Sequence, residues 1–136
     1  MHIRKLALAA LCSLAVPLAL LASPVKPGKW ETTVETTVGD RTMPAHTITH
    51  CVTPEEASHL EKTIPQNSHS ECTMSDIKVD GGTVSWKMDC AKTQMKGEGS
   101  MTYSGDSYTG SMHITSPRFE VKTKYSGKYL GACDGQ

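Results

Sequence analysis

The sequence predicts an all-β protein: an antiparallel meander of about seven short strands with one short helix near 54–62. Three observations predict it. Apolar and polar residues alternate with a period of two through most of the chain beyond residue 28, the spacing of half-buried strands. Turn signals punctuate the runs, among them Asp80-Gly81-Gly82 and Ser104-Gly105-Asp106. Sixteen threonines populate the same stretches, and their branched side chains suit a pleated, half-buried surface.

The elements follow in order. Over 29–38, Trp30, Thr32, Val34, Thr36 and Val38 share one face, and Lys29, Glu31, Thr33, Glu35 and Thr37 share the wet one. Residues 46–52 place Ile48 and Val52 together. Thr53-Pro54-Glu55-Glu56 is a capping box, with Thr53 at the N-cap, Pro54 at the first helical position and Glu56 reaching back. The helix runs to about Lys62, and Pro65 opens a polar loop to Ser70. Strand 74–79 carries Ile77 and Val79, and the return strand aligns Val84, Trp86, Met88 and Cys90. Strand 95–103 is weakened by Gly97 and Gly99, 107–115 carries Tyr108, Met112 and Ile114, and 118–125 carries Phe119, Val121, Thr123 and Tyr125. Such a meander either closes as a small lipocalin-like barrel or stays a curved sheet, with the helix over one mouth or edge. The barrel is the expected form.

Residues 1–23 read as a secretory signal peptide: Arg4 and Lys5, an apolar run from Leu6 to Leu21, then small residues. The run is short for a bilayer span of roughly 20 residues and contains Pro17, so no membrane span is expected after cleavage. Cys12 falls within this leader. The mature domain is 24–136, periplasmic or secreted. It keeps 12 of the 14 basic residues against 14 acidic ones, a net charge near −2. No basic patch remains to attract nucleic acid or anionic lipid.

Leu, Ile, Val and Phe number only 14 beyond the leader, a thin core that cross-links can compensate. Cys51, Cys72, Cys90 and Cys133 form an even set in a chain bound for an oxidising compartment. Four cysteines allow three pairings, and sequence alone does not choose. The expected pairing is Cys51–Cys72 with Cys90–Cys133, because Cys90 points to the core and Cys133 lies just past the last strand. Loops of about twenty and about forty residues would contribute roughly 3 and 4 kcal/mol.

Candidate sites are sparse. His46 and His50 are four apart, which on a strand separates them by about 13 Å along one face, too far to share a metal ion. His59, His69 and His113 have no ligating spacing. His69-Ser70-Glu71 lacks the downstream cysteine pair of a zinc deaminase. Met43, Met74, Met88, Met95, Met101 and Met112 form no copper-type cluster and read mainly as core filler. No metalloprotease helix, nucleophile elbow or phosphate-binding loop is present, so no catalytic residue, metal or cofactor is expected. Trp30 and Trp86 lie on predicted core faces and could line a ligand cavity, although such residues more often fill the core.

Several segments together resemble a family. Pro27-Gly28-Lys29-Trp30-Glu31, Cys51-Val52-Thr53-Pro54-Glu55-Glu56, Trp86-Lys87-Met88-Asp89-Cys90, Tyr103 through Gly110 and Leu130-Gly131-Ala132-Cys133 are similar, in this order, to motifs of an exported bacterial family, domain of unknown function 3617. Lys29 stands where that family usually has an apolar residue, and Lys128-Tyr129 replaces an arginine and aliphatic pair. The resemblance implies a small exported β domain with two disulfides and implies no activity. The function expected is a non-catalytic periplasmic binding or interaction module for a small molecule or an envelope protein. The alternatives are an envelope accessory protein without a pocket, and a copper or zinc binder using His46, His50 and methionines.

Overall fold

A computed structural model describes residues 23–64 and 71–135. Residues 1–22 of the leader and the loop from Pro65 to Ser70, with His69, lie outside the described residues. Eight strands, β1 (Gly28–Val38), β2 (Arg41–Thr42), β3 (His46–Val52), β4 (Cys72–Asp80), β5 (Thr83–Cys90), β6 (Met95–Ser104), β7 (Ser107–Thr115) and β8 (Glu120–Gly131), form one antiparallel sheet. Its order is β2-β1-β8-β7-β6-β5-β4, and β3 pairs with the stretch of β1 that β2 leaves free. The two short strands therefore share one edge, and the sheet is seven strands wide.

Of the two forms the alternation allows, the curved open sheet is the one present. Among the described residues β3 pairs only with β1, and β4 only with β5, so the half-barrel does not close. Helix α1 (Pro54–Ser58) and a 3-10 turn (Leu60–Thr63) connect these two edges. The capping box is complete: Glu56 N donates to the Thr53 hydroxyl, and Thr53 N donates to the Glu56 carboxylate at 2.8 Å. The short helix thereby satisfies its first amides and turns Ala57, and beyond it Leu60 and Ile64, onto the inner face of the sheet.

The core is polarised along the strands. Val25, Trp30, Val52, Val84, Trp86, Met101, Tyr103 and Tyr108 join the helical residues in one buried cluster. Toward the other end of the inner face the row Val38, Val121 and Ile114 is only half-covered or exposed. Phe119, expected on the last strand, sits before it in a turn that Ser116 N closes onto Phe119 O at 2.9 Å, and is exposed.

Across the inner face, large side chains lie opposite glycines. Trp86 faces Gly99, Met88 faces Gly97, Met101 faces Gly110, and Tyr108 faces Gly127. A Cβ at Gly99 would stand 2.5 Å from the Trp86 ring, and one at Gly127 would stand 1.9 Å from the Tyr108 ring. The glycines that read as weak points are berths for rings lying flat across the neighbouring strand. For the same reason β8 continues through Gly127 to Gly131 instead of stopping near Tyr125. The turn Gly39-Asp40 also forms a two-residue hairpin, with Gly39 at φ 56, and creates the unforeseen β2.

The expected disulfide pairing is corrected: the sulfurs join Cys51 to Cys133 and Cys72 to Cys90. The reason is a β-bulge. The β4–β5 hairpin closes with Asp80 opposite Thr83, a register that would bring Cys72 opposite Ala91 and point it away from Cys90. One extra residue at Asp76–Ile77, with Asp76 at φ 50, shifts the register and sets Cys72 opposite Cys90. Cys51 lies opposite Lys29 of β1, whose other neighbour is Gly131. The second bridge therefore spans the start of β1 and ties β3 to the chain just past β8. Lys29 Nζ reaches the Asp134 carboxylate beside it at 2.6 Å.

Candidate functional site

The failure of the sheet to close leaves a cleft of about 270 Å³ between the inner face of β6–β8 and the β3–α1 edge. Its floor is built from three adjacent strands. The two-residue turn at Gly105-Asp106 sets Tyr103 and Tyr108 directly opposite one another, with ring centroids 5.0 Å apart. Tyr125 follows from β8, and Met101 from β6. Thr32 of β1 enters through the space over Gly127, where its hydroxyl bonds that of Tyr108. Ile48, His50 and Val52 of β3 form one wall, and Glu56, Lys62 and Thr63 the helical rim.

The floor is uncharged. Burial raises the Tyr103 pKa to about 12, against a smaller opposing effect of its hydrogen bond to Thr63. Burial likewise raises Tyr108, opposed by the bond to Thr32, and Tyr125, opposed by a bond to Thr123. Desolvation of the cleft side of the His50 ring lowers its pKa, and Glu56 opposes this. His50 Nδ1 is 3.5 Å from the Thr32 hydroxyl. Three neutral phenols and a neutral imidazole thus face the cleft at pH 7. The two charged rim groups are already engaged: Glu56 in the capping box, Lys62 with the Glu55 carboxylate. What the lining residues offer is hydrogen bonding beside apolar contact, and the hydroxyl beside His50, that of Thr32, is buried and bonded to Tyr108.

Neither tryptophan lines this cleft. Trp30 is 0% exposed and stands behind it, packed on Tyr103, Tyr108 and Tyr129, with its indole N–H donating to Lys26 O at 2.9 Å. It acts as the wedge that holds the tyrosine floor. Trp86 is 2% exposed over Gly99 and borders instead a shallow polar hollow with Asp76, Lys87 and Glu98. The tyrosine trio was missed by sequence reasoning. Its signal was the pair of tyrosines flanking a two-residue turn, a spacing that makes them cross-strand neighbours.

The described histidines form no group of three. His46 and His50 lie on β3 opposite Val34 and Trp30. His59 pairs with Glu61 at 3.3 Å, and His113 with Glu120. Among the described residues no three His, Cys, Asp or Glu side chains gather as a metal site, and no helix is long and apolar enough to cross a membrane. Met88 and Met101 are buried, Met74 packs against the core, and Met43 is exposed.

No curated protein and no solved structure matches the chain. The model of one protein family, described as protein of unknown function (DUF3617), matches residues 25–133, from the buried Val25 to the disulfide-bonded Cys133. That span takes in the whole sheet, the capped helix, all four paired cysteines and the tyrosine-floored cleft, and on it the chain belongs to the DUF3617 family.

Proposed function

We propose that this protein is an exported, non-catalytic binding module whose ligand occupies the cleft between β3 and the tyrosine floor. One observation carries the reading: the core, otherwise filled by rings lying over glycines, leaves about 270 Å³ open where the sheet stays unclosed. That volume is near the lower end of the roughly 300–1,000 Å³ of ligand pockets, and its mixture of apolar walls with a few convergent hydroxyls is typical of them. Two disulfides support export, since such bonds persist in oxidising compartments. The leader-like residues 1–23 support passage to the periplasm or medium.

Native mass spectrometry of the full chain, recovered after export by its own leader, tests the reading. The expected result is a retained small-molecule adduct that Met101→Trp, which fills the cleft, abolishes. A bare polypeptide mass, or a metal ion alone, overturns it.

A further inference from the structure

The chemistry of the cleft narrows what it can hold, and this step rests on the binding function proposed above. Each hydroxyl at the floor is one half of a pair: Tyr108 with Thr32, Tyr103 with Thr63, Tyr125 with Thr123. A hydroxyl has one proton and two lone pairs, so a bonded pair still has one O–H to donate and lone pairs to accept. Such a floor suits a ligand group that both gives and takes hydrogen bonds, or takes one only. Around it stand Ile48, Val52, Met101 and the faces of the tyrosine rings, which suit a flat apolar body.

An anionic ligand finds no free counter-charge. Lys62, the only lysine or arginine of the lining, is held by Glu55, and the Glu56 carboxylate adds a negative charge at the same rim. A carboxylate or sulfonate drawn into the floor would lose its water without gaining a cation. We infer that the cleft selects an uncharged amphiphile, an aromatic or alicyclic body carrying a hydroxyl, amine N–H or carbonyl, and rejects the same body when it bears a full negative charge.

Two fluorescent probes share one skeleton and differ by one anion: N-phenyl-1-naphthylamine and 8-anilinonaphthalene-1-sulfonate. Titrated into the full mature chain at pH 7, the neutral probe is expected to bind at least about tenfold more tightly, the order set by burying an uncompensated anion. Met101→Trp should abolish its binding. Should that variant fail to fold, Ile48→Asp serves in its place, since Ile48 is 50% exposed on an edge strand, and several-fold weaker binding is expected. Equal or tighter binding of the sulfonate overturns the charge selection and leaves the binding function standing. Loss of neither variant's affinity places the probe outside the cleft and overturns the selection as well. Binding of neither probe removes both readings.

Discussion

Gly127 stands opposite Tyr108, and the phenol lies across it to reach Thr32 on the strand beyond. The close approach needs a residue without a Cβ. Gly127→Ala forces the ring off its berth and is expected to cost roughly 1–3 kcal/mol, read as a lower denaturant midpoint. In a Tyr108→Ala background the same change should cost much less, because the two residues share one space. Tyr103 makes a second prediction at this scale. Its folded pKa near 12 lies above the ordinary 10.0, so folding favours the neutral phenol. The stabilisation is full below pH 10 and is lost as pH rises through 12. For this buried ring it amounts to roughly 2–3 kcal/mol. Unfolding free energies measured from pH 9 to 12 should therefore fall more steeply for the native chain than for Tyr103→Phe. Parallel curves would contradict the assignment.

At the scale of elements, the β4–β5 hairpin and its bulge decide which sulfurs meet. Strand faces alternate every residue, so one inserted residue moves everything beyond it to the other face. Deleting Ile77 removes the extra residue and leaves an unbroken ladder in which Cys72 still falls opposite Cys90, so that bridge is expected to form. Deleting Thr73, between the bulge and the cysteine, turns Cys72 to the other face and is expected to leave Cys72 and Cys90 as free thiols. Thiol titration of the unfolded, unreduced protein reads this directly; an intact Cys72–Cys90 bridge in the Thr73 deletion would show that strand register does not set the pairing. The β6–β7 hairpin works the same way for the cleft. Its two-residue turn fixes Tyr103 against Tyr108, and β8 can lie close to that pair only because Gly127 has no side chain.

At the scale of the whole molecule, a half-barrel with two open edges is held by a small core and two covalent ties of different reach. Cys72–Cys90 closes a local hairpin, with a sequence separation of 18, whereas Cys51–Cys133 joins residues 82 apart and binds the first strands to the last. In the chain-entropy account the longer loop contributes about 4.5 kcal/mol and the shorter about 3 kcal/mol. Replacing Cys51 and Cys133 with alanine should therefore lower the melting temperature more than replacing Cys72 and Cys90. The reverse order would mean that the hairpin bridge secures the fold. The ligand cleft belongs to this scale too, for it is the space left where the two ends of the sheet do not meet.

The chain by itself determined what depends on neighbours in sequence. Period-two alternation marked the faces of most strands, Thr53 to Glu56 marked the helix start, and glycine-bearing turns marked the hairpins. Each is a local physical constraint, readable without knowing what lies across the sheet. Tertiary structure alone decided the rest. The sulfur partners depend on one residue of slippage between β4 and β5, the length of β8 depends on a ring from β7, and the openness of the sheet depends on β3 and β4 remaining apart. The tyrosine floor likewise joins three strands. Cross-strand register and distance set all of these, and the alternation within any single strand is the same whichever register its partners adopt.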